Sequence, residues 1–336
     1  MIYNMNHTSC DDEFMRFGSE TGLKEYLNKY NLDGIEYMSF GEKNPRYSKS
    51  IIKGVHLNIP NSWLDIWNGN TKGMLDEYGS IDVVKECVGG DTKEFLIEDL
   101  VRQLNFAKEC EALYVVFHVT NIKMKESVTW DYAYTDEEVV LAASEWINEA
   151  VSRVDIGYDF LLENLWWPGF KMTSPKITGL MLDKINYPKK GIMLDTGHLL
   201  HTNLILEDEN QGMEYINKCL DEHGKLCNFI KGIHLNQSIT GEDMYKLHNL
   251  KPDWSASYYE ISNTIWNYIF MIDRHKPYLN EGVRKLIDRI SPEYVTLEFI
   301  SRNLKEHEDE ELEEQYRRMV NGKKIVISTG KIFHFF

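Results

Sequence analysis

Short β-rich runs, each followed by an amphipathic helical stretch, recur from one end of the chain to the other, and few folds accept that order. Eight runs stand out, at residues 2–7, 34–38, 54–59, 113–119, 158–164, 191–195, 230–236 and 294–300. Between them, apolar residues return at helical spacing. Leu96, Leu100, Leu104 and Ala107 form one face, Val139, Ala143, Trp146, Ile147 and Ala150 a second, and Val283, Leu286, Ile287 and Ile290 a third. Thr135 and Glu138 have the spacing of a capping box at the start of the second helix. Strands joined through helices make a parallel sheet, and eight of them close into a (β/α)8 TIM barrel, an α/β fold. An open doubly wound sheet would need a Gly-rich turn after the first strand, and Thr8-Ser-Cys-Asp-Asp provides none.

The pattern predicts one barrel domain over residues 1–322 and a hydrophobic tail of no legible role over 323–336. Two long connections, residues 60–91 with Trp63 and Trp67 and residues 237–273 with Trp254 and Trp266, are expected as loops with short helices over the C-terminal mouth. A net charge of −16 repels phosphate backbones and argues against indiscriminate nucleic-acid binding, while leaving room for a local basic groove or a cationic metal site. The acidic run at 306–314 reads as a solvated helix face. The five cysteines have no Cys-x-x-Cys spacing and read as reduced thiols of a cytoplasmic protein. The first ten residues do not look like a signal peptide, and the best apolar stretch, 265–272, is too short to span a bilayer. A homo-oligomer is compatible with this reading.

Chemistry concentrates at the strand ends. The third strand ends near His56, the fourth at His118, the fifth at Glu163, the sixth at Asp195-Thr-Gly-His198, the seventh at His234 and the eighth at Glu298. Asp273-Arg-His275 precedes the eighth. In a barrel such ends meet at one mouth, so these side chains are expected to gather. Imidazole and carboxylate are ligand types for zinc, manganese and iron. Glu163, Asp195 and Glu298 crowded together would repel one another, and a divalent cation removes that conflict. With 11 histidines and 53 acidic residues in 336, a single match means little. A match at six consecutive strand ends means more.

Glu36 and His7 either face the mouth or are structural. Trp166 and Trp167 either stack on a flat ligand or cover the core. His201, His223 and His248 have no partner spacing and read as surface or helix residues. No phosphate-binding Gly loop, Ser-His-Asp order or nucleophile elbow is present.

Glu163 in Leu-Leu-Glu-Asn, Asp195-Thr-Gly-His198, Ile-His234-Leu-Asn and Leu-Glu298 resemble the xylose isomerase-like TIM-barrel superfamily, from the first strand to about residue 300. That group holds sugar isomerases and epimerases as well as nucleases of the endonuclease IV type. The isomerase template implies one metal on Glu163, Asp195, His234 and Glu298. It makes Glu163 and Glu298 the acid–base pair beside a carbonyl and gives His198 a hold on substrate, a small sugar or sugar phosphate. Gln237-Ser-Ile-Thr stands where sugar epimerases of this kind carry an arginine. The nuclease template implies three zinc ions on His56, His118, Glu163, Asp195, His198, His234, Asp273, His275 and Glu298, clamping a phosphodiester. Here the stretch from His234 to Asp273 is longer than in that template, and Val119-Thr120 replaces its Pro-Gly. The resemblance therefore implies a divalent metal (Zn, Mn, Co or Mg, in one to three ions, with Fe also compatible). The preferred activity is isomerisation or epimerisation. Hydrolysis of abasic-site DNA or another phosphoester is the alternative, with an iron-dependent tailoring enzyme or a non-catalytic binding barrel behind it.

Overall fold

The computed structural model describes residues 1–41 and 44–299 and, beyond these, residues 312, 314, 315, 318 and 319. The expected tail at 323–336 and all but residues 312 and 314 of the acidic run lie outside the described residues. Eight parallel strands close into a barrel in sequence order: β1 (Ile2–Thr8), β2 (Gly34–Met38), β3 (Ile52–His56), β4 (Tyr114–His118), β5 (Asp159–Glu163), β6 (Lys190–Asp195), β7 (Ile230–Leu235) and β8 (Tyr294–Leu297). β8 returns to pair with β1, with Ile2 beside Tyr294. The (β/α)8 barrel expected from the sequence is the fold observed.

Successive residues of a strand face opposite sides of the sheet, and in a closed barrel one side is the interior. In β4, Val115 and Phe117 face out into the large core beneath the helices, together with Phe160, Leu162, Ile192, Leu194, Ile233 and Val295. Tyr114, Val116, Leu161, Met193 and Tyr294 form a separate apolar cluster at the lower end of the interior. The same inward rows end above it in His118, Glu163 and Asp195. β4 and β6 therefore change from apolar to ionisable along one face as they rise.

Outside, helices Lys93–Glu109 and Asp136–Ser152 bury the faces read from their periodicity. Thr135 Oγ1 accepts from Glu138 N at 3.2 Å and Glu138 Oε2 accepts from Thr135 N at 2.8 Å, completing the capping box. Trp146 is 1% exposed and donates its indole N–H to Leu96 O at 2.9 Å. Its ring meets Trp63 at 5.0 Å and Phe117 at 5.4 Å. Trp63 and Trp67 thus belong to the core and do not line the mouth.

Two strands end three residues short of their apolar runs. β3 stops at His56 because the backbone of Asn58 is taken by the Gln103 side chain, which accepts from Asn58 N at 2.7 Å and donates to Asn58 O at 3.0 Å. After β8, Phe299 pairs its N–H and C=O with the Asn6 side chain, both at 3.2 Å. The connection after β3 carries three helices, Leu64–Trp67, Thr71–Tyr78 and Ile81–Val88. That after β7 carries Gly241–His248 and the longer Tyr258–Ile272. No helix among the described residues is long and apolar enough to cross a membrane.

Truncating the central indole tests this packing. Trp146→Ala should lose about 3–5 kcal/mol, through its cavity and the freed Leu96 carbonyl. Urea unfolding should show a lower midpoint at unchanged slope, and a loss below about 1 kcal/mol would refute the assigned role.

Candidate metal centre

Every strand-end candidate reaches one place. Strand register sets Glu163 beside His118 and Asp195 beside His234. Glu163, fully buried, is the hub. Its Oε2 stands 3.2 Å from His56 Nε2 and 3.1 Å from His118 Nε2, and its Oε1 stands 3.0 Å from His234 Nδ1 and 3.4 Å from His198 Nδ1. His234 Nδ1 also lies 3.1 Å from Glu298 Oε2 and 3.8 Å from Asp195 Oδ2.

The two most specific sequence motifs interlock. Asp195 caps the short helix Thr196–His201, its Oδ1 accepting from His198 N at 2.6 Å. Its Oδ2 accepts from Asn236 Nδ2 at 2.9 Å. Thr196 Oγ1 donates across to β7, reaching Asn236 O at 2.6 Å. Gly197 is required by this closeness, since a Cβ there would meet Asn236 Oδ1 at 1.8 Å. From β5, Asn164 brackets Asp195, accepting from its N–H and donating to its C=O at 2.9 Å each, while Asn164 O lies 3.0 Å from His198 Nδ1. The motifs therefore fix the directions of the candidate donors as well as supplying them.

Asp273 and His275 arrive from the far end of the long β7 connection. Gln237 and Lys276 close its base with a pair of backbone hydrogen bonds, at 2.7 and 3.0 Å. Ser238 Oγ accepts from Arg274 N at 3.0 Å and His275 N at 3.2 Å. His275 takes φ +44°, a left-handed conformation that a non-glycine residue holds only under such restraint. Its Nε2 then lies 3.0 Å from Asp273 Oδ2, which lies 3.5 Å from His198 Nε2. The length of the connection leaves the pair in place.

One group near the centre was missed by the sequence reading, His201, and one that it left open, Glu36, lies in the barrel interior. His201, expected at a surface or on a helix, is helical but buried, and its Nε2 stands 3.3 Å from Asp273 Oδ1. Its spacing of three from His198 puts both on one helix face, which is the signal that could have found it. Glu36 is buried in the barrel with its carboxylate 2.9 Å from His234 Nε2. His223 is buried against Thr178, and His248 stacks on Trp130; both stand apart from the centre. Trp166 and Trp167 are buried in a second apolar cluster that joins the connections after β4, β5 and β7, so they are cover. Trp166 also walls the centre, 5.2 Å from the His198 ring and 4.6 Å from that of His201.

Burial alone would raise Glu163, yet the imidazoles of His234 and His118 hold its carboxyl well below the usual range. Burial pushes Asp195 up to about 7, against His198 and with Glu298. Burial opposes charge on His234, which Glu298, Glu36 and Glu163 nevertheless hold well above the ordinary range. His275 rises to about 9 against its burial, through Asp273 and Glu298. The imidazoles facing these acids thus offset the repulsion among the buried carboxylates, a task a divalent cation performs with defined ligand directions. The nitrogen and oxygen donors fit such an ion. Ligand atoms of Glu163, Asp195, His234 and Glu298 lie within 4.8 Å of one another, as do those of His56, His118 and Glu163 and those of Asp195, His198 and His275. Glu163, Asp195 and His234 side chains are 0% exposed, whereas His118 at 23%, Glu298 at 15% and Asp273 at 13% form an accessible rim.

Replacing Gly197 tests the interlock. Gly197→Ala should displace Asn236 and cost about 1–3 kcal/mol in urea unfolding, with weaker metal uptake. Gly157→Ala, where a Cβ meets nothing within 4 Å, should stay within about 0.5 kcal/mol of the parent. Equal behaviour of the two variants would refute the interlock.

No known protein-family profile matches the chain, and no curated protein matches it in sequence. Solved structures do match. A D-tagatose 3-epimerase-like protein superposes with a TM-score of 0.54 at 16% identity, over 96% of this chain and 98% of the other. A Rhodospirillum rubrum protein provisionally assigned as a xylose isomerase gives 0.56 at 10% identity, over 96% and 100%. A sugar phosphate isomerase/epimerase from Parabacteroides distasonis gives 0.50 at 12% identity, over 96% and 95%. The structural neighbours are xylose isomerase-like TIM-barrel proteins, and the chain has their fold.

Proposed function

We propose that the chain is a multinuclear metal-dependent hydrolase of phosphoester bonds in small polar substrates. One observation carries this reading. Glu163 belongs both to the group with His56 and His118 and to the group with Asp195, His234 and Glu298, and Asp195 belongs to the latter and to the group with His198 and His275. Carboxylates shared between neighbouring groups are what adjacent cations require, and the donors exceed what one ion can use. Imidazole-rich sets suit zinc, manganese, cobalt or iron better than magnesium. Bound divalent ions supply Lewis acidity and make water a stronger acid. The chain's own groups do the rest. Glu163, Asp195 and His234 keep a dry floor. His118, Asp273 and Glu298 meet the substrate at the rim, where the Glu298 carboxylate can take a proton from attacking water. The net charge of −16 favours a small phosphoester over a nucleic-acid backbone, and the five free cysteines suit a reducing, cytoplasmic setting.

A second reading, isomerisation or epimerisation of a small sugar, is favoured by Glu163 and Glu298 both standing about 3 Å from His234 Nδ1. Two such carboxylates can remove and return a proton at a carbon beside a carbonyl. The names of the epimerase-like and isomerase neighbours agree with it.

Metal analysis with one substitution separates the two. The hydrolase should carry about three equivalents of metal per chain. Asp273→Asn should lose about one of them and about 10- to 100-fold of activity on p-nitrophenyl phosphate mono- and diesters. A single equivalent, with Asp273→Asn still exchanging solvent deuterium into a ketose, would decide for the isomerase. Glu163→Gln should abolish both activities, and an active variant would remove the site assignment.

A further inference from the structure

The centre described above leaves one buried acid without a task. Glu36 lies on β2 at 1% side-chain exposure, one interior layer below the mouth, paired in register with Gly54 of β3. A buried carboxylate held among neutral groups is costly and needs donors on both oxygens. Its Oε2 accepts from the Tyr114 hydroxyl at 2.7 Å and from Thr296 Oγ1 at 2.9 Å. Tyr114 is itself braced by Asn4 Nδ2, which donates to its oxygen at 3.0 Å. Tyr114 reaches across only because Gly54 has no side chain, as a Cβ there would stand 2.2 Å from the tyrosine Cζ. The remaining neighbour is His234, whose Nε2 lies 2.9 Å from Oε1 and 3.1 Å from Oε2.

The geometry points to Glu36 as the positioning residue of His234: its carboxylate accepts the Nε2–H hydrogen bond, which keeps the proton on Nε2 and leaves Nδ1 as the nitrogen offered to the metal centre. The inference rests on the metal-centre reading. The two ring nitrogens of an imidazole are not equivalent, and the partner of one decides the role of the other. Nδ1 faces Glu163, Glu298 and Asp195, the acids of the four-residue group. Glu36, His56 and His234 also form a candidate group, which would use Nε2, but it offers fewer carboxylates than the group on the Nδ1 side. The charge of Glu36 also makes the imidazole a stronger donor. Asn4, Tyr114, Thr296 and Gly54 then serve the centre from below, by holding the acid that holds the ligand.

Nitrogen-15 NMR of histidine-labelled protein, with His234 identified by comparison with His234→Asn, tests the assignment. In metal-free and zinc-loaded wild type, His234 should show a slowly exchanging proton on Nε2, and with zinc the metal should sit on Nδ1. Glu36→Leu should lose that protected proton and weaken zinc binding about 10- to 100-fold without changing the number of zinc equivalents. Glu36→Gln, which keeps an acceptor, should recover most of the affinity. Zinc on Nε2, unchanged affinity and proton protection in Glu36→Leu, or a fall in zinc equivalents would each overturn the proposal. If the leucine variant fails to fold, the wild-type nitrogen assignment decides alone. If wild type takes up no zinc, the metal-centre reading fails, while the Nε2 proton in metal-free protein still decides whether Glu36 holds His234.

Discussion

Glu163 is a carboxylate with no access to water, and four imidazoles stand within 3.4 Å of its two oxygens. A lone ion so placed would be untenable, so the barrel must supply opposite charge from several directions at once. Parallel strands can do this because each delivers its side chains at the same end. His56, His118 and His234 come from three strands, and His198 from the short helix after a fourth, yet they converge within a few ångströms. The rest of the mouth follows from that demand: Asp195, Asp273 and Glu298 face the imidazoles from the remaining sides.

The interior is graded to permit it. Tyr114, Leu161, Met193 and Tyr294 pack together toward the lower end, with the Asp159–Lys231 pair beneath, and the ionisable groups of the centre begin above them. Glu36, Thr296 and Asn4 form a thin polar layer between, where each hydrogen-bonding atom of Glu36 is spoken for. Such layering keeps water from reaching the floor from below, which strengthens every charge interaction at the top.

Much of this was legible because strand order and strand ends are local features. The alternation in Tyr114-Val-Val-Phe-His118 already states which residues face inward, and the end of the run states which reach the mouth. Other features depended on distant partners. Glu36 sits two residues before the end of its strand and is defined by His234, 198 positions away. His201 has its spacing from His198 in the sequence, but its value comes from Asp273. Trp63 and Trp67 read as loop residues because loops surround them, whereas packing on Trp146 makes them core. The early ends of β3 and β8 arise from single side-chain amides, Gln103 and Asn6, that no periodicity announces.

The backbone clasp between Gln237 and Lys276 has a wider consequence. It holds the two feet of the helical excursion together, so the spacing between His234 and His275 is set at the clasp and not along the excursion. The turn between its two helices, residues 249–257, can lengthen or shorten while His234 and His275 keep their separation. A lineage using this scaffold could therefore vary the outermost turn over the opening while the residues at the feet stay in register.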